Sequence, residues 1–167
     1  MSRRYGYVGP AEVAEGAESA TTGFSVRDPG SLAAWVQELD DCDGESVTVT
    51  FVVLVDGEVR VAPRRSEHVD CARGADVIAA GECTLRVRPR VEVAWASNQS
   101  TGYCPEPECW RAAREAWRAV GIACPDELSA SYVFRRCEGC GERNLVKEGW
   151  FECALCGQEL PRVWNFG

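Results

Sequence analysis

Four cysteines near the C-terminus constrain this chain more than any other feature. They stand as Cys137-Glu138-Gly139-Cys140-Gly141 and Cys153-Ala154-Leu155-Cys156-Gly157, two C-x-x-C pairs with 12 residues between them. That spacing aims four sulfurs at one point and predicts a tetrahedral four-thiolate site for zinc. Gly141 and Gly157 follow the second cysteine of each pair, where the chain must fold back with positive φ. Two other readings use the same residues. A pair of disulfides needs an oxidising compartment, and a redox C-x-x-C stands singly, at a helix start after a strand. Residues 1–25 contain no apolar stretch of the kind a secretory signal needs, and Arg3-Arg4 alone do not make a twin-arginine signal. The expectation is therefore a reducing cytoplasm, free thiols, and one structural Zn2+ on Cys137, Cys140, Cys153 and Cys156. Iron suits the same sulfur cage. A site of four thiolates leaves no position open for water or substrate, so it argues for structure or partner binding rather than for a reaction.

Between the pairs, Leu145-Val146 and Trp150-Phe151 predict two short strands, with Lys147-Glu148-Gly149 turning between them. The tail Leu160–Phe166 supplies apolar cover that so small a piece otherwise lacks. On these residues the segment 135–160 resembles the zinc ribbon family, and the resemblance implies rubredoxin-like knuckles on a small β-hairpin. The whole chain looks like an uncharacterised bacterial family that ends in such a ribbon. Its coding bias points the same way: Lys147 is the one lysine among 18 basic side chains, as in a GC-rich, actinobacterial-looking genome.

The remaining residues predict an α+β domain: a small antiparallel β-sheet with two main helices, followed by the C-terminal zinc ribbon. Residues 1–25 read as a partly flexible N-terminal segment, 26–134 as the α+β domain, and 135–167 as the ribbon with its tail. Asp28 or Ser31 caps a helix in which Leu32, Trp35, Val36 and Leu39 share a face. Ser46–Val55 is apolar on both faces in its second half and reads as a central strand. Asp56-Gly57 reads as a two-residue hairpin turn leading into Glu58–Ala62. Residues 63–76 read as a polar loop, and Ala75–Ala80 as either helix or strand. Cys83–Arg88 and Val91–Ala96 alternate as strands around Pro89. A second helix spans about Glu106–Val120, with Trp110, Ala113, Trp117 and Val120 on one side.

The net charge is −8. It lies in residues 1–134, while 135–167 carries five acidic and five basic side chains. Such a chain repels phosphate backbones, which argues against nucleic acid and for another protein as partner. No stretch approaches the apolar length of a membrane span.

Three groups of residues are candidates for a site. The first is the loop Ser97–Pro105, where Asn98, Ser100, Tyr103 and Cys104 follow a strand and precede a helix; the same residue types also satisfy backbone groups in tight connections. The second is the single histidine, His68, with Glu67 beside it and Cys71, Cys104 and Cys109 as possible companions in a dyad or a second metal site. Its alternative is a loop histidine bonded to Glu67 or Asp70. The third is an arginine stripe, Arg86, Arg88 and Arg90, with Arg60, Arg64 and Arg65, which fits either an anion or a solvated sheet face. Ala80-Gly81-Glu82 followed by Asn98-x-Ser100-x-x-Tyr103-x-Pro105 is similar to a module of effector- and toxin-type bacterial proteins. The resemblance covers 68–105 and implies a shared β-rich fold. Gly102 stands where that pattern has histidine. A small enzyme or ligand-binding protein, with its site where the Asn98–Cys104 loop meets His68 and the arginines, is the alternative to a non-enzymatic interaction module.

Overall fold

The computed structural model describes residues 1–167. In chain order its elements are α1 (Ala11–Ala14), a 3-10 turn (Ala17–Ser19), β1 (Phe24–Ser25), α2 (Pro29–Gln37), β2 (Ser46–Leu54), β3 (Val59–Pro63), α3 (His68–Cys71), β4 (Val77–Arg86), β5 (Glu92–Ala96), α4 (Cys109–Ala119), β6 (Val133–Arg136) and β7 (Arg143–Val146). The fold is α+β: an antiparallel five-stranded sheet, ordered β1-β3-β2-β4-β5, and a separate two-stranded β6-β7 sheet that carries the cysteine cluster.

The doubly apolar β2 lies in the middle of the larger sheet because both its faces are covered. On one face Trp110 and Trp117 of α4 turn ring edges onto Phe51, with centroids 6.2 Å away. On the other face α3 packs against β2 and β3. There Thr50 Oγ1 donates to the carbonyls of Arg64 and Ser66 at 3.2 and 3.4 Å. Helix α2 begins where Asp28 accepts the Ser31 N–H at 2.8 Å, which selects Asp28 as the cap. Its Trp35 stacks on Phe24 with ring centroids 5.5 Å apart.

Several local expectations are corrected. The β2–β3 connection has four residues, Val55-Asp56-Gly57-Glu58, closed where Leu54 N donates to Glu58 O at 2.9 Å and Gly57 takes φ 91°. The polar loop at 63–76 contains the single turn α3, which sinks Val69 and Cys71 into the core. Residues from Val77 onward join one long strand, and β4 ends at Arg86 rather than Arg88. The ribbon strands also differ. Arg143–Val146 pairs with Val133–Arg136, upstream of the cysteines, so the first knuckle is itself the hairpin turn. Glu148-Gly149 does turn the chain, at φ 52° and 71°, but its arms meet only at the bridge Lys147–Trp150.

The outer edge of β5 is not free. Val93 N donates to Ala123 O at 2.8 Å and Ser129 N to Ala96 O at 2.9 Å, so the segment after α4 closes that edge. It then delivers the chain to β6.

Candidate metal centre and the loop that holds it

Each knuckle is built by the same pair of backbone bonds. Gly141 N donates to Cys137 O and Gly157 N to Cys153 O, both at 2.9 Å. Cys137 N donates to Glu142 O and Cys153 N to Gln158 O, both at 2.8 Å. Gly141 and Gly157 take φ 79° and 75°, a conformation that costs a side-chain-bearing residue energy. The outcome is four sulfurs that all lie within 4.8 Å of one another. Cys137 and Cys156 approach to 3.5 Å and Cys140 and Cys153 to 3.6 Å. Four thiolates about 2.3 Å from a tetrahedral metal would stand about 3.8 Å apart, so the cluster fits such an ion. Cys137, Cys140, Cys153 and Cys156 can hold a metal.

Backbone N–H groups turned toward Cys137 and Cys153 favour the thiolate at those two sulfurs; at the other two the backbone N–H groups are outweighed by burial and by hydrogen bonds from the neighbouring sulfurs, which push Cys140 up to about 12 and raise Cys156. The Cys140 N–H holds Cys137 below the ordinary thiol range. The Cys156 N–H, with help from the Asn144 amide, lowers Cys153 to about 6. Asn144 is a site residue that sequence reasoning missed. It is buried, donates to Cys153 Sγ at 3.4 Å and to Glu142 O at 3.1 Å, and accepts from Ala154 N at 2.9 Å. It thus ties both knuckles to each other around the sulfurs. The ribbon's own core is Cys137, Cys153 and Leu160, with Val146 and Phe151 against it. That is little apolar matter to hold a fold, and a metal bound by the four thiolates would supply folding energy there.

The other side of the ribbon is bound to the larger domain. The bond from Cys137 N to Glu142 O continues the β6–β7 ladder, so Tyr132, Phe134 and Arg136 turn their backbone groups away from β7. Side chains meet all three. Asn98 accepts from Tyr132 N at 2.7 Å and donates to Tyr132 O at 2.8 Å. Arg135 donates to Phe134 O at 2.7 Å. Asn165 accepts from Arg136 N and donates to Arg136 O, both at 2.8 Å. Arg135 is buried, and it also pairs with Glu106 at 2.8 Å and donates to Arg162 O at 2.9 Å. Trp164 donates to Cys104 O at 2.8 Å and receives the edge of Tyr5 at 5.5 Å. The aromatic tail therefore folds back onto the α+β domain.

The loop residues singled out in the sequence face this junction. Besides Tyr132, Asn98 donates to Pro105 O at 2.9 Å. Ser100 Oγ accepts from Tyr103 N at 3.3 Å, and the Tyr103 hydroxyl donates to Ala75 O at 2.8 Å. The Cys104 thiol donates to Thr101 O at 3.4 Å, and Arg143 of β7 donates to the same carbonyl. Gly81 lies under the loop's start: an added Cβ would stand 1.9 Å from the Ser97 carbonyl oxygen, so only glycine fits. At Gly102, a Cβ would come within 3.0 Å of the Tyr7 ring, so tyrosine occupies the space a histidine would take.

His68 is half-buried and donates its Nε2–H to Gly81 O at 2.8 Å. That is its only side-chain hydrogen bond, and it reaches neither Glu67, Asp70, Cys71, Cys104 nor Asn98. Burial lowers its pKa, partly offset by the Gly81 carbonyl and by Glu82. Glu67 is exposed. No second group of metal-ligating side chains forms around His68, Cys71, Cys104 and Cys109; burial pushes these three thiols up to about 12. The arginines are dispersed. Arg86 and Arg90 pair with Glu92 at 2.7 and 3.3 Å, Arg64 pairs with Glu82 at 3.4 Å, and Arg65 and Arg88 are exposed. Arg60 is buried and donates to Gly23 O at 3.1 Å.

Comparison with protein-family models, with curated proteins and with solved structures gives no match to this chain. The zinc ribbon assignment thus rests on the four sulfurs and their knuckles. No helix is long and apolar enough to cross a membrane.

Proposed function

We propose that this chain is a small bacterial, cytoplasmic zinc-binding protein. It acts without catalysis, by presenting its ribbon to another protein. One zinc, on Cys137, Cys140, Cys153 and Cys156, gives that surface its shape. The observation that carries the reading is the placement of exposed apolar side chains. Trp150 and Leu155 are each 69% exposed and stand on the segment that the four cysteines enclose, and Val163, 75% exposed, follows on the tail, whereas Val55 and Met1 stand singly elsewhere. Protein-binding surfaces are marked by exposed aromatic and aliphatic groups on a rigid support. Two further observations support it. A four-sulfur site has no open position for a substrate, and Asn98, Ser100 and Tyr103 direct their side chains to backbone groups.

The zinc content of the purified protein is the first test. One zinc per chain is expected, and its loss in Cys140→Ser. A second metal per chain would overturn the single-site reading and favour an enzyme built around His68. A photo-crosslinking amino acid placed at Leu155 should then capture a defined protein in cells, and one placed at Val55 should not. Equal capture at both positions, or none at Leu155, would refute the interaction reading.

A further inference from the structure

The ribbon carries five acidic and five basic side chains, yet its surface is not neutral. Arg135 is buried against Glu106, Arg143 is half-buried on the Thr101 carbonyl, and Arg136 is half-buried with Gly141 O and the Phe166 ring. Only Lys147 and Arg162 remain exposed, against the exposed carboxylates Glu138, Glu142, Glu148, Glu152 and Glu159. Carboxylates therefore outnumber cations among the segment's exposed charges, and four thiolates around a divalent ion would add to that excess.

On that segment, Trp150, Phe151, Glu152, Glu159 and Arg162 line a cleft of about 440 Å³. One side of it shows what it accepts. The Arg162 guanidinium lies 4.2 Å from the centre of the Phe151 ring, with Glu159 at 3.6 Å. Two more of the lining residues, Trp150 and Glu152, offer the same two chemical parts. Trp150 has no aromatic or cationic neighbour stacked on it, and Glu152 has no ion pair. An exposed indole and an unpaired carboxylate lining one cleft suit a guanidinium, which is planar and weakly hydrated and stacks on aromatic faces while its edge donates to oxygen.

We propose that this cleft docks a basic, arginine-bearing segment of a protein partner, with a guanidinium on Trp150 and paired to Glu152. The inference rests on the interaction reading above and names the partner's chemistry. The excess of exposed carboxylates favours a cationic peptide and repels nucleic acid and anionic membranes.

The test is fluorescence anisotropy with the full-length, zinc-loaded protein and three labelled peptides, alternating glycine with arginine, lysine or glutamate. Arginine should bind best and glutamate worst, with affinity falling as salt rises. Trp150→Ala and Glu152→Gln should each weaken arginine-peptide binding about fivefold. Both residues are exposed, and unchanged zinc content will show that the ribbon still folds. Glu58→Gln, in the β2–β3 connection of the larger domain, should leave binding unchanged. Equal binding of the three peptides, or full binding by both ribbon variants, overturns the proposal. Self-association that is lost in Arg88→Glu would also overturn it, because the occupant would then be a second copy. If the protein captured at Leu155 contacts the ribbon through a segment without basic residues, this inference fails while the interaction reading stands.

Discussion

His68 shows how little a side chain's identity says about its work. The only histidine in the chain donates to the Gly81 carbonyl, at the strand position where a side chain would collide with Ser97. Its pKa is lowered, so the unfolded chain takes up a proton at higher pH than the folded one. Stability from this residue is present above the unfolded pKa of about 6.5 and declines as pH falls below it, toward the folded value. Urea unfolding at pH 7.5 and pH 5.5 should therefore show a larger loss in the wild-type protein than in His68→Gln, which keeps a donor but cannot titrate. An equal loss would mean that His68 titrates alike in both states.

At the scale of elements, legibility followed the hydrophobic pattern. β2 was readable because burial on both faces leaves an apolar run, and α4 because Trp110, Ala113 and Trp117 repeat with the helical period. The four cysteines were readable because ligand spacing is a local constraint. The β6–β7 pairing was not. Val133–Arg136 ends in two arginines, and Arg135 is buried there because Glu106, 29 residues away, neutralises it. The one-turn α3 lies among polar residues and has no period to detect. Asn144 carries no local signal, because its role depends on a sulfur nine residues on. Asn144→Ala should weaken zinc binding about 10- to 100-fold, as loss of a group that orients ligands does elsewhere. Competition with a chromophoric chelator will measure it. Unchanged affinity would reduce Asn144 to a backbone spacer.

The whole molecule has two cores of very different size. The larger spans the five-stranded sheet and its helices, while the smaller has three buried residues. Chelation should therefore unfold the ribbon and leave the sheet's far-ultraviolet signal largely in place. Loss of both together would show that the metal holds the entire fold. The two cores are joined by the Arg135–Glu106 pair, whose side chains are 6% and 17% exposed. Glu106→Gln should cost about 3 kcal/mol, because it leaves a buried guanidinium without its counter-charge. Denaturant unfolding will measure that loss, and a cost below about 1 kcal/mol would place the pair with ordinary surface bridges.

The outer edge of β6 carries a different lesson. Asn98 and Asn165 each bond to both the N–H and the C=O of one residue, Tyr132 and Arg136 respectively, as the backbone of an adjoining strand would. A carboxamide is a free peptide group, and here two of them replace a missing strand. The replacement has a narrow tolerance. Aspartate has the shape without the donor, and glutamine has both groups one methylene too far out. Saturation mutagenesis scored by soluble yield should therefore accept almost nothing at Asn98 and Asn165 and accept most residues at exposed Gln99. Free exchange at either asparagine would mean that water can serve that edge equally well. In a lineage of such chains, these two amides would drift more slowly than the apolar core, where one aliphatic side chain can stand in for another.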